Sequence, residues 1–307
     1  MRIILGFPMM DQQTGHYIKK AFEVLGHEIV AVNDPRNPLQ GAQQLLTFVD
    51  KYKPDFVFLA KDVRYNTIIK ELSKKVLTVM WNLDVRQDIN IFLRANGPMY
   101  QYCHLKFTIG KSNLKEYRKM GVKNIYWLSE GISPEHHKTE ELCSIDKLKY
   151  TADVAFAGSV KGLHSGRGEL LELIKDQKDL NFLKWSNVFN HAHNKMCQCS
   201  SINLGHSGWP NVSLSMSARD YRIMGAGGFL LTNKVRDIEE WFELDKMCVV
   251  YTSPGECLEK IRYYLKHTEE RCAIAKYGQK IVHEKHKFSD RLKEVIEYVQ
   301  NFNGDNK

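Results

Sequence analysis

The chain has 307 residues, of which 43% are hydrophobic, 26% charged and 11% aromatic, and 44 Lys and Arg against 36 Asp and Glu give a net charge of +8. This balance excludes a disordered, collagenous or low-complexity chain, and the length suits two domains of roughly 100–200 residues, with one large domain as the alternative. No apolar run reaches the ~18 residues of a membrane span, and the opening MRIILGFP breaks too early for a signal peptide, so a cytoplasmic protein is expected.

Arg2 to Phe7 reads as a buried strand, followed by a helix with Ile18, Ala21, Phe22 and Leu25 on one face and Gly26 as its stop. A strand at Glu28–Val32, a helix behind Pro38 with Leu39, Ala42, Leu45, Leu46 and Val49, a strand at Asp55–Leu59, a helix around Thr67–Lys74 and a strand at Val76–Trp81 continue the alternation. A strand at Lys106–Ile109, a helix from Ser112 to Met120 and a strand at Asn124–Leu128 complete the first half. Ser133–Lys149, with adjacent His136 and His137 and no apolar period, reads as a linker.

The pattern then restarts: a strand at Asp153–Ala157, a helix at Glu169–Lys175, strands at Asn181–Trp185 and Ile202–Leu204, a helix from about Ser217, and strands at Phe229–Thr232 and Met247–Tyr251. Ser253-Pro254-Gly255-Glu256 has the spacing of a capping box, and the last helix carries Leu292, Val295, Ile296 and Val299 on one stripe. Repeated βα units imply parallel sheets covered on both faces, hence an α/β chain of two doubly wound Rossmann-like domains with the ligand site in the cleft between them. Seven scattered cysteines, several in apolar segments, are expected to be free thiols without a structural disulfide.

The segment from Ser217 to Arg291, with SARDYRIMGAGGFLLTN followed by VVYTSPGECLEKI, resembles the C-terminal half of group-1, family-4-like glycosyltransferases of the GT-B fold, in the CgeB-like (spore maturation) branch. Weaker likeness extends upstream through DVAFAGS, Arg167, the WNLD segment at Trp81–Asp84, and YRKMGVKNIYWLSEGISPEHH at Tyr117–His137. The resemblance implies an N-terminal acceptor domain at 1–140, a C-terminal nucleotide-sugar domain at 150–285, and a final helix at 286–307 that crosses back to the N-terminal domain.

A diphosphate needs close backbone approach, free N–H groups at a helix start and a guanidinium fork, and the loop from Gly158-Ser159 through Lys161, Gly162 and Gly166 to Arg167 offers all three. A flexible surface loop is the alternative. The resemblance adds Arg219, Tyr221, Arg222, Gly227 and Gly228 to the expected donor site. It also brings a departure, because Arg222 stands where many relatives have a Glu that accepts from the ribose hydroxyls, and an Arg only donates.

Gly15-His16 resembles the Gly-His pair that supplies a general base in inverting GT-B enzymes, although group-1 relatives usually retain the anomeric configuration and need none; Asp11 is the fallback base. Asp84, at the end of an apolar strand, is placed to orient an acceptor hydroxyl or act as base, or simply to cap a loop. His191, His193, Cys197 and Cys199 are metal-ligand types close in sequence, but only His193 and Cys197 share a helix face, so no metal and no cofactor besides the donor are expected. Residues 1–150 hold 22 basic and 16 acidic residues, and Lys106, Lys111, Lys115, Arg118, Lys119 and Lys123 form a dense basic stretch. A polyanionic acceptor suits such a surface, as does simple solvation.

The expected function is transfer of a sugar from a nucleotide diphosphate sugar, a UDP-sugar foremost, to a hydroxyl acceptor. Two alternatives stand beside it: a phage-type transferase acting on hydroxylated bases in DNA, and a non-catalytic spore or surface-assembly protein with a degenerate nucleotide site.

Overall fold

The computed structural model describes residues 1–9, 13–32, 38–159 and 166–305. It divides into two compact units, one formed by Met1–Ser129 with Phe288–Lys307 and the other by Glu130–Lys287.

In the first unit β1 (Arg2–Gly6), α1 (Thr14–Val24), β2 (Glu28–Ala31), α2 (Pro38–Tyr52), β3 (Phe56–Ala60), α3 (Ile69–Lys75), β4 (Leu77–Asn82), α4 (Asn90–Tyr102), β5 (Leu105–Thr108), α5 (Asn113–Lys119) and β6 (Ile125–Trp127) follow in order. The strands form one parallel sheet, β2-β1-β3-β4-β5-β6. Both faces are covered, which is why Ile3-Ile4-Leu5 and Phe56–Leu59 are unbroken apolar runs at 0% exposure. Ile4, Val57, Leu59 and Met80 pack on one side with Leu45, Leu72 and Phe92. Ile3, Leu5, Phe58, Val79, Trp81 and Phe107 pack on the other with Ile18 and Phe22 of α1.

That second side is completed by α12 (Phe288–Asp305), whose Phe288, Leu292, Val295 and Val299 are all 0% exposed in the same cluster. The Phe288 ring lies 6.2 Å from both Tyr17 and Trp81, stacked on the first and edge-on to the second.

Two elements differ from expectation here. The helix expected around Thr67–Lys74 forms as α3, but an unexpected 3-10 turn at Val63–Thr67 precedes it, where the Asp62 side chain accepts from the Arg64 amide at 2.9 Å. Helix α4 was not expected at all; its Asn96-Gly97-Pro98 reads as a turn in sequence, and Asn96 does leave helical geometry (φ −126°, ψ 24°), but buried Phe92, Met99 and Tyr100 hold both halves on the sheet.

The second unit contains α6 (Ser144–Tyr150), β7 (Ala152–Ala157), α7 (Arg167–Lys175), β8 (Phe182–Trp185), α8 (Asn190–Cys199), β9 (Ser200–Leu204), α9 (Ala218–Gly225), β10 (Leu230–Asn233), β11 (Val249–Tyr251), α10 (Pro254–Lys266) and α11 (Thr268–Lys285). Its parallel sheet runs β11-β10-β9-β7-β8 over a core that includes Val154, Phe156, Leu171, Ile202, Leu204, Leu231 and Ile261.

The 133–149 stretch, expected as a linker, belongs to this unit. Ser133 and His137 are each 2% exposed, the His136 and His137 amides both donate to the Ser133 carbonyl, and the stretch ends in α6. The helix hid from its pattern because both its aliphatic residues face outward, Ile145 at 71% and Leu148 at 88% exposure, and only Tyr150 is buried. At α10, Ser253 accepts from the Glu256 amide, but Glu256 reaches back to the Thr252 amide at 2.7 Å, one residue before the expected box partner. The reciprocal box forms instead at α9, where the Ser217 amide donates to Asp220 at 3.2 Å.

All seven cysteines are free thiols, and no helix among the described residues is long and apolar enough to cross a membrane.

Candidate functional site

The sheet of the second unit reverses its order between β7 and β9, because the chain runs outward from β7 to β8 and then returns to the other side of β7 for β9. Loops at such a switch point diverge and leave room for a ligand beyond the strand ends. Here the two loops are Gly158-Ser159 after β7 and Gly205-His206-Ser207 after β9.

Two arginines meet there. Arg167, the first residue of α7 and 4% exposed, donates from Nη1 to the Ser159 carbonyl at 2.9 Å and from Nη2 to the His206 carbonyl at 2.7 Å. Half-buried Arg219, in the first turn of α9, donates from Nε to the Ala157 carbonyl at 2.6 Å and from Nη1 to His206 O at 3.5 Å. Both guanidiniums lie over the Phe156 ring, at 5.8 and 4.6 Å from its centre. Gly158 is required to be bare: a Cβ on it would lie 2.2 Å from Arg219 Nη2, and its φ of +150° disfavours other residues.

Neither guanidinium is paired with a carboxylate among the described residues. Burial, then the Arg167 charge, brings Arg219 down to about 10, which still leaves it charged at neutral pH. Asp220 next to it is 0% exposed, and burial pushes its carboxyl up to about 6 against the pull of Arg219 and the Ser217 amide. It spends its oxygens on Ser217 N, on Ser207 Oγ at 3.5 Å and on Thr232 Oγ1 at 3.3 Å rather than on a guanidinium. His206 also touches Tyr251, with Nδ1 3.1 Å from the hydroxyl, which donates to Gly205 O at 3.2 Å.

The remaining expected donor residues lie elsewhere. Tyr221 is a core residue, 0% exposed, its ring against Phe242 and His286 and its hydroxyl accepting from Trp241 Nε1 at 2.9 Å. Arg222 sits near His137 and His193, since its charge, after burial, helps hold both imidazoles below their ordinary range, His193 down to about 3. Gly227 and Gly228 serve packing at the α9–β10 turn: Gly227 takes φ +83°, and a Cβ on Gly228 would lie 2.7 Å from Asn203 Nδ2 and 3.0 Å from Cys197 Cβ. Lys161 and Gly162 lie outside the described residues.

In the first unit, half-buried His16 lies in the first turn of α1 with Nε2 2.5 Å from the Met9 carbonyl, and Gly15 is pressed so closely on the preceding turn that a Cβ would lie 2.2 Å from Pro8 O. Asp84 is 66% exposed and accepts from Lys61 Nζ at 2.6 Å, while that ammonium stands 4.2 Å from the centre of the Phe92 ring. Asp11 lies outside the described residues. The basic stretch loses one member: Lys106 is 3% exposed, donates to Cys103 O and is brought down to about 8 by burial, whereas Lys111, Lys115, Arg118, Lys119 and Lys123 are exposed.

On α8, His193 Nδ1 is 3.7 Å from Cys197 Sγ, and His191 pairs with Glu140 at 2.8 Å. Among the described residues no group of three or more His, Cys, Asp or Glu is arranged to hold a metal ion.

Nothing in the sequence pointed to His206 or Ser207, and Asp220, two residues from Arg222 and on a different face of the helix, does not obviously substitute for the Glu that Arg222 replaces. Asp220 three residues after Ser217 is a capping-box spacing and was the available signal; nothing local marks the His206 carbonyl.

Residues 145–297 match the family described as glycosyl transferase-like. No curated protein sequence matches the chain. Solved structures similar to it include Anabaena Alr3699/HepE in complex with UDP and glucose, at TM-score 0.68 and 12% identity, covering 98% of this chain and 100% of that one. Sucrose-phosphate synthase from Thermosynechococcus elongatus matches at TM-score 0.71 and 9% identity, covering 99% of each chain. An alpha-glucosyltransferase in complex with UDP-glucose and DNA containing an abasic site matches at 0.69 and 9%, covering 97% of this chain and 98% of that one. The two parallel sheets are those of the GT-B fold, and with the family match the protein is a GT-B glycosyltransferase.

Proposed function

We propose that this glycosyltransferase takes its sugar from a UDP-sugar, passes it to a hydroxyl acceptor, and lies in the CgeB-like branch. The observation that carries the donor assignment is the pair of guanidiniums at the β7–β9 switch point without a carboxylate partner. Two cations this close, both partly stripped of water, call for an anion with more than one negative group, and a diphosphate meets that demand. Alr3699/HepE, similar over nearly the whole chain, holds UDP, which supports uridine as the nucleoside.

The chemistry follows from charge. Breaking the bond from the anomeric carbon to the diphosphate oxygen leaves negative charge on the phosphates, and the fixed guanidiniums and the positive end of the α9 dipole stabilise it. Side chains and a helix terminus, rather than a bound cation, do this work. His16 is the proposed acceptor of the hydroxyl proton; Asp84, its charge engaged by Lys61, suits orienting that hydroxyl better than deprotonating it.

Calorimetry with UDP, GDP, ADP and TDP tests the donor assignment. UDP is expected to bind with the highest affinity, and absence of binding by all four would overturn it.

A second reading, a transferase acting on hydroxylated bases in DNA, is favoured by the five exposed cations between Lys111 and Lys123. If it holds, duplex affinity falls steeply between about 50 and 200 mM salt, and charge-reversing Lys115 and Lys119 flattens the slope. Salt-insensitive or undetectable binding would remove DNA as the acceptor.

A further inference from the structure

One carbonyl, that of His206, accepts from both arginines of the donor site. Its position is set from behind. The Ser207 amide donates to Asn233 Oδ1 at 2.7 Å, and Asn233 Nδ2 donates back to Ser207 O at 3.0 Å. Ser207 Oγ accepts from the Ser217 amide at 3.1 Å and donates to Asp220 Oδ2 at 3.5 Å; the same Oδ2 accepts from Ser217 N, and Oδ1 accepts from Thr232 Oγ1. Asp220 and Thr232 are 0% exposed, Ser207 3% and Asn233 7%. The residue before His206 has no space for a side chain, because a Cβ on Gly205 would lie 2.4 Å from Asp220 Oδ1 and 2.5 Å from Thr232 Oγ1.

Asp220 therefore joins three elements: the loop after β9, the start of α9 and strand β10. All its partners are donors, so an acceptor-only group suits the network, and the loop lies against the carboxylate so closely that moving one moves the other. A cap alone would not require this, since a cap on the solvated end of a helix works without a buried carboxylate, whose desolvation is costly.

We propose that Asp220 is a positioning residue for the nucleotide diphosphate, holding the His206 carbonyl where it orients Arg167 and Arg219 together; the proposal rests on the donor-site reading above. It acts through hydrogen bonds, not as a nearby charge. These two roles have opposite signs: removing a negative charge beside a phosphate site should tighten anion binding, whereas releasing the loop should weaken it.

The test compares UDP and UMP binding by calorimetry in the full chain, in Asp220→Ala, in Asp220→Asn and, as a milder break of the same network, in Ser207→Ala. Asp220→Ala is expected to lose at least 10-fold in UDP affinity and to lower the UDP-to-UMP affinity ratio. Asn, which keeps the size and most of the hydrogen bonds, should restore UDP affinity to within about threefold of the parent, and Ser207→Ala should fall between. A role confined to helix stability would lower the melting temperature and leave the ratio unchanged, which would overturn the proposal, as would tighter UDP binding by Asp220→Ala. Should Asp220→Ala fail to fold, an unchanged ratio in Ser207→Ala overturns it equally. A parent chain that binds no UDP overturns the donor reading and this proposal together; a parent that binds UDP, loses it in Arg219→Ala and keeps its ratio in the Asp220 and Ser207 variants overturns this proposal alone.

Discussion

Arg219→Ala is expected to lower UDP affinity by about 10- to 150-fold and turnover by about 100- to 1,000-fold, while the melting temperature stays within a few degrees of the parent. The first figure is the ~1.5–3 kcal/mol of a charged hydrogen bond, and the second the ~3–4 kcal/mol typical of one donor to a developing anion. Arg219 supplies both because its fork is fixed beforehand, by Ala157 O, His206 O and the face of Phe156, in the space Gly158 leaves open. Arg219→Lys keeps the charge and loses the fork, so it should recover only part of the binding. Affinity and turnover both unchanged in the alanine variant would remove Arg219 from the site.

The second large effect concerns stability. Phe288→Ala should cost about 3–5 kcal/mol, seen as a lowered midpoint for the first unit in thermal or denaturant unfolding. Phe288 is 0% exposed, stacks on Tyr17 and meets the edge of Trp81, so its removal leaves a cavity between α12, α1 and β4 that these rigid neighbours cannot close. Both arginines of the proposed donor site belong to the second unit, so UDP affinity measured well below the midpoint is expected not to change. A loss under about 1 kcal/mol would show that α12 contributes little to this core. With two units, the unfolding curve must be fitted as two transitions.

The alternation of strands and helices was legible because buried parallel strands are unbroken apolar runs, as in Ile3-Ile4-Leu5 and Val79-Met80-Trp81. Where an element lacks that signature it was missed: α4 is interrupted by Asn96-Gly97-Pro98, and α6 turns Ile145 and Leu148 outward. Lys106 shows the reverse error, a charge read as surface that lies in a strand with its ammonium returned to the Cys103 carbonyl. In the candidate site, the placement of Gly158 after a strand and Arg167 at the next helix start was readable, since bare backbone and a guanidinium fork are encoded in residue type. The place of Tyr221 was not, because Arg219 on the same helix turns to the Ala157 and His206 carbonyls while Tyr221 packs on Phe242, and only the fold tells the two faces apart. The role of Asp220 was equally hidden, since it depends on Ser207 and Thr232, 13 and 12 residues away in the chain.

The course of the chain has a consequence for how the protein is made. The first sheet leaves the ribosome early, yet the helix that covers Leu5, Phe58 and Trp81 follows the second unit, residues 130–287. At ~5–20 residues per second that delay is roughly 10–30 s. Throughout it, one face of the nascent sheet has α1 on it but lacks the cover of α12, leaving part of its aromatic surface open, while the second unit, continuous in sequence, is free to fold as it emerges. The order of synthesis thus lets the second unit complete itself first and leaves the first unit's core unfinished until Phe288 and its neighbours arrive.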